Sequence, residues 1–139
     1  MLPRAPKLTQ AALVFLALAS AVVGGWALFL PESCYRSFPG LGHTWVMLDG
    51  PYNEHLVRDV GALNLGLGAL AAFALVRPSR ATPWSVGLVG SIYNLPHFVY
   101  HVSHIGIYAP VDQAGNIISL GLALLASLWL LTPFARLKS

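Results

Sequence analysis

Four stretches of this chain, about 8–30, 56–76, 84–108 and 112–132, are long and almost free of charge. A helix of about 20 mostly apolar residues spans the hydrocarbon core of a bilayer. Within the second stretch the apolar core runs from Val60 to Val76 and is broken by Asn64. Pro31, Pro78, Pro83, Pro110 and Pro133 stand beside the ends of these runs. Proline lacks a backbone donor and restricts the residue before it, so it marks helix boundaries. The expected fold is therefore all-α: a single integral membrane four-helix bundle over residues 1–139. Hydrophobic residues make up 56% of the chain and charged residues 9%, against about 25% charged in soluble domains. That balance argues against both a soluble enzyme and a disordered chain. Cys34 is the only cysteine, which removes a disulfide scaffold. The net charge is +3, but the basic residues are scattered and form no nucleic-acid patch.

Arg4 and Lys7 precede the first run as a basic start, and Ala17-Leu18-Ala19 resembles a signal cleavage site. The apolar run continues past it to Leu30, which favours a membrane span.

Charge sets the expected orientation. Arg4, Lys7, Arg77, Arg80, Arg136 and Lys138 fall at the two ends of the chain and between the second and third spans. Glu32, Asp49, Glu54, Asp59 and Asp112 fall on the opposite side. Lys and Arg collect on cytoplasmic segments, so both termini are expected in the cytoplasm of a bacterial-type plasma membrane. Trp26 and Tyr108 then lie near the outer interface, and Trp84 and Trp129 near the inner one. The segment 31–55 is expected to fold as an extracytoplasmic cap between the first two spans. A short helix from Pro31 to Phe38 and turns at Pro39-Gly40 and Gly50-Pro51 are expected within it.

The third span carries the polar segment Asn94 to His104. At about 100° per residue, Asn94, His97, His101 and His104 share a stripe about 80° wide. Pro96 is expected to kink the helix just before this stripe. At the start of the second span, His55 and Asp59 share one face, and Glu54 and Arg58 an adjacent one. From the helical rise, Asp59 and His104 lie about 6 Å inside the outer boundary. Asn64 and His97 lie about 14 to 17 Å inside it. Ionisable groups at such depths usually face the bundle interior and mark function.

These residues support several readings. One is a transition-metal site (Zn, Cu or Fe) built from His97, His101, His104, His55, Asp59 and Glu54, used for redox or related chemistry near the outer face. Another is a quinone headgroup held with help from Arg58, Asn64 and Asn94. Haem between helices fits less well, because the spanning histidines lie almost all on one helix. A proton or small-solute path and simple interhelical hydrogen bonding are the remaining alternatives. A chain of this size is also compatible with a non-enzymatic accessory subunit of a larger membrane complex, or with a homo-oligomer. The glycines of the spans, Gly61, Gly66, Gly68, Gly87, Gly90, Gly115 and Gly121, are expected where helices pack closely.

The segment Leu30-Pro31-Glu32-Ser33-Cys34-Tyr35-Arg36-Ser37-Phe38-Pro39-Gly40 precedes Tyr52-Asn53-Glu54-His55-Leu56-Val57-Arg58-Asp59-Val60-Gly61. Together with the four short spans, this pattern resembles the DoxX-like group of small bacterial membrane proteins. The resemblance implies four spans with both termini inside. It also implies a link to quinones, because some members are tied to quinone-coupled sulfur oxidation. It assigns no catalytic residue to this chain.

Overall fold

The computed structural model describes residues 5–78 and 80–135. Four long helices run up and down: α1 (Lys7–Phe29), α3 (Glu54–Val76), α4 (Pro83–Ser103) and α5 (Pro110–Leu131). Between α1 and α3 lie a short helix, α2 (Pro31–Ser37), an antiparallel pair of two-residue strands, β1 (Pro39–Gly40) and β2 (His43–Thr44), and a 3₁₀ turn at Val46–Asp49.

The helix starts follow from local chemistry. Pro31, Pro83 and Pro110 each open a helix, where a missing N–H costs nothing. The Asn53 side chain accepts from the Leu56 N–H at 3.1 Å, and the Thr82 hydroxyl accepts from the Ser85 N–H at 3.2 Å.

The first, second and fourth long helices keep close to the boundaries read from the sequence. The third does not: α4 stops at Ser103, and 105–107 forms a 3₁₀ turn in place of a helix continuing to Tyr108. Ser103 donates its hydroxyl to the Tyr100 carbonyl at 2.8 Å, and the His104 N–H reaches the same oxygen at 3.1 Å. This carbonyl sharing closes the last turn. The backbone of His104 (φ −108°, ψ 14°) is already outside the helix.

The helices pack as two close pairs, α1 along α3 and α4 along α5. In the first pair Gly24, Gly61 and Gly68 lie against the facing backbone; in the second, Gly87 and Gly90 lie against Ser127 and Leu130. Gly66, by contrast, faces open space. The two pairs meet at one end, where Leu13, Leu16, Ala71, Ala74, Ala81, Val86 and Leu130 form the core. Thr9 donates to the Ala135 carbonyl at 3.3 Å and helps close this end. Toward the other end the pairs separate.

Apolar residues also cover the outside. Leu18, Val22, Ile92 and Leu125 are 62%, 65%, 68% and 64% exposed. A soluble monomer rarely presents such a surface. Among the described residues, α1, α3 and α5 are long and apolar enough to cross a membrane. α4 has 21 residues but is not one of them. Asn94, His97 and His101, with Ser85 and Ser91, lower its hydropathy. Lys7, Arg77 and Arg80 lie at the core end, and all five acidic residues lie at or near the other. Arg4, Arg136 and Lys138 fall outside the described residues.

Candidate functional site

The separation of the helix pairs leaves a cavity of about 860 Å³, lined by all four long helices and roofed by the α1–α3 connection. Most of its wall is apolar, contributed by residues such as Phe15, Leu67 and Leu120. One face of α4 contributes the largest polar group, Tyr93, Asn94, His97, Tyr100 and His101, and Asn64, Asn116, Ser119 and Asp49 add to it from other elements. The α4 residues recur at helical spacing, so the stripe read from the sequence is present for Asn94, His97 and His101. Tyr93 sits on the same stripe, at about −40° from His97, and was missed. The signal was its spacing, four residues before His97.

Asn64 connects α3 to this face. Its amide donates to the Tyr93 hydroxyl at 3.1 Å and to the Val60 carbonyl at 2.9 Å. The Tyr93 ring stands edge-on to His97 at 5.2 Å between centroids, so Asn64 and the His97 region do share a depth. Asn94 donates to the Ser127 hydroxyl at 3.0 Å and ties α4 to α5. His97 is half-buried. Its imidazole makes ring contacts with Tyr93 and with His101, the latter at 4.9 Å, and takes no hydrogen bond among the described residues. His101 also lines the cavity, with its Nδ1 3.3 Å from the Tyr108 hydroxyl. Tyr108 lies beyond α4. Desolvation, then the charge of Asp49, pushes its phenol up to about 12.

The other candidates lie elsewhere. His104 stacks on Tyr100 at 4.3 Å, its Nδ1 2.9 Å from the Tyr100 carbonyl, and it is exposed. His104 is the C-cap of α4: its N–H still bonds the Tyr100 carbonyl, but its side chain lies at the open end of the helix and is not part of the cavity lining. His55 and Asp59 pair with each other at 3.2 Å, their side chains 87% and 63% exposed. Both stand about 140° to 180° around the helix from Asn64, whereas Val57, Val60 and Leu67 share Asn64's cavity face. An expected equal depth therefore does not bring His55 and Asp59 to the cavity. Glu54 and Arg58 form an ion pair at 2.8 Å. Arg58 also donates to the Leu28 carbonyl in the last turn of α1, where a cation offsets the unpaired carbonyls. Among the described residues, no three His, Cys, Asp or Glu side chains gather closely enough to hold an ion.

A cap over segment 31–55 is expected from the sequence, but the side-chain bonds that hold it are not legible there. Trp45 donates its indole N–H to Asp112 Oδ1 at 2.8 Å, and His43 Nδ1 lies 2.7 Å from the same oxygen. Tyr100 donates to Asp49 Oδ1 at 3.3 Å. These bonds fasten the connection to the ends of α4 and α5. Phe38, Trp45, Val46 and Asp49 thereby become cavity lining. Cys34 lines it too; burial pushes its thiol up.

A cavity of this size, with an apolar wall and a few convergent polar groups, has the form of a site for a small lipophilic molecule. The chain matches no protein-family model, no curated protein and no solved structure.

Proposed function

We propose that this chain is a multi-pass protein of a bacterial-type plasma membrane whose cavity binds a lipid-soluble ring compound of the quinone class. All four long helices cross the bilayer in this reading. Both termini are cytoplasmic, and the α1–α3 connection forms an outer cap. The cavity carries the proposal: it is large and apolar, yet His97 stands in its wall without a hydrogen-bond partner among the described residues. A half-buried imidazole gains from a partner, and a ring carbonyl supplies one. The apolar wall accommodates the ring and the first part of a hydrocarbon tail. Arg58, bound to Glu54 and Leu28, does not take part. The resemblance of 30–40 and 52–61 to DoxX-like proteins belongs to this proposal and points the same way.

One observation favours a second reading. His97 and His101 have adjacent rings in the same wall and offer two imidazoles to a transition metal such as Zn, Cu or Fe. Further donors would have to come from the bound molecule or from water.

Purified protein in quinone-free nanodiscs, titrated with a short-chain benzoquinone, tests both. The expected result is saturable quenching of tryptophan fluorescence, weakened at least about tenfold, or 1.4 kcal/mol, in His97→Ala. Metal at one per chain, lost in both His97→Ala and His101→Ala, would replace the quinone with the metal. No saturable binding and no metal, with large proteins co-purifying, would leave a non-enzymatic accessory subunit.

A further inference from the structure

We infer that Tyr108 is a positioning residue that fixes His101 in its Nε2–H tautomer, so that the cavity presents a hydrogen-bond donor and prefers a ring bearing carbonyls to the corresponding hydroquinone. The preference for the ring rests on the quinone reading above; the tautomer does not.

The Tyr108 hydroxyl and His101 Nδ1 are 3.3 Å apart. A phenol keeps its proton at neutral pH, and among the described residues this hydroxyl has no acceptor other than His101 Nδ1, so it donates there. Nδ1 is then the acceptor, and the ring proton sits on Nε2. Tyr108 is only 3% exposed, so water competes little for its hydroxyl. The residue is also held in place: its N–H bonds the Ile105 carbonyl at 3.2 Å, and its own carbonyl accepts from Gln113 Nε2 at 2.9 Å.

The nearby acids are engaged elsewhere. Asp49 accepts from Tyr100, and Asp112 is taken by Trp45 and His43. His104 Nδ1 lies against the Tyr100 carbonyl. Among the described residues, the Tyr108 hydroxyl is therefore the one hydrogen-bond partner of the His101 ring. On this assignment Nε2 carries the proton and has no partner among the described residues, and His101 is part of the cavity wall. A quinone carbonyl can only accept, and it meets this donor directly. A hydroquinone hydroxyl can accept from the same N–H but must also place its own proton on a second acceptor.

Two measurements test this on the full-length protein. With ¹⁵N-labelled histidine, the wild-type His101 signals are expected to show Nε2 protonated and Nδ1 bare, and Tyr108→Phe to shift them toward a mixture. In nanodiscs, wild type is expected to bind a short-chain benzoquinone about tenfold more tightly than its hydroquinone, and Tyr108→Phe to lose most of that ratio. His101→Gln, which keeps an N–H donor without needing Tyr108, is expected to retain the preference; His101→Phe is expected to lose it. This pair also serves if Tyr108→Phe does not fold.

An unchanged His101 tautomer in Tyr108→Phe overturns the positioning role. An unchanged preference in both Tyr108→Phe and His101→Phe overturns the selection. If neither form binds to wild type, the quinone reading and the selection fall together, and the nitrogen spectra decide the role of Tyr108.

Discussion

The Trp45 ring occupies the space that a side chain at Gly115 would need. A Cβ built there would stand 2.7 Å from Trp45 Cζ2. Glycine at this point on α5 lets the indole come close enough for its N–H to reach Asp112. Gly115→Val is expected to push the ring out, break that bond and open the roof. Overpacking of this kind costs about 1–3 kcal/mol. A lower unfolding temperature and red-shifted tryptophan emission would show it; unchanged emission would mean that Trp45 is not seated on Gly115.

The α1–α3 seam makes a sharper comparison. A Cβ at Gly61 would come 2.5 Å from the Leu28 backbone nitrogen, whereas one at Gly66 would meet nothing within 4 Å. Gly61→Ala should force the helices apart and destabilise the protein by about 1–3 kcal/mol. Gly66→Ala should be neutral or slightly stabilising, because alanine is the better helix former by up to about 1 kcal/mol. Thermal unfolding in detergent compares the two, and equal effects would contradict the packing.

Cys34 is buried, and its thiol is pushed up by desolvation. The thiolate is the reactive form. A raised pKa leaves less thiolate at neutral pH, and reactivity should climb only as the solution becomes more alkaline than an ordinary thiol requires. Maleimide labelling of native protein at pH 7 should therefore be slow, and labelling in SDS fast. Prompt native labelling would show that the roof opens readily or that Cys34 is not enclosed.

The charge distribution predicts sidedness. Cysteine-free protein carrying Gly42→Cys, in the turn between β1 and β2, should react with an impermeant maleimide added outside intact cells. Arg80→Cys, in the α3–α4 connection, should react only after the cells are opened. The reverse pattern would invert the topology.

The histidines should separate by position. His55→Ala and His104→Ala change exposed side chains, so quinone binding and any metal content should stay near wild type. His97→Ala and His101→Ala change the cavity wall and should reduce whichever ligand the protein binds. Loss of metal in His104→Ala with the bundle intact would restore the larger histidine site expected from the sequence.

Apolar runs bounded by proline determined the long helices, because each run must bury its backbone polar groups within one helix if it lies in a membrane. The short α2, opened by Pro31, is a local signal of the same kind. Helical spacing also determined that Asn94, His97 and His101 share a face. Spacing within one helix cannot report which way a second helix is turned, and this is why His55 and Asp59, expected to meet the α4 histidines, stand away from the cavity. Nor can it foresee an early helix end, which leaves His104 exposed beyond the cavity. Only the tertiary structure decided that the helix pairs part to leave a cavity, that Trp45 folds over Gly115 to roof it, and that Tyr108 returns to His101. Those three relationships depend on contacts between residues far apart in the chain or across a turn, where no periodic pattern in the sequence specifies the partner.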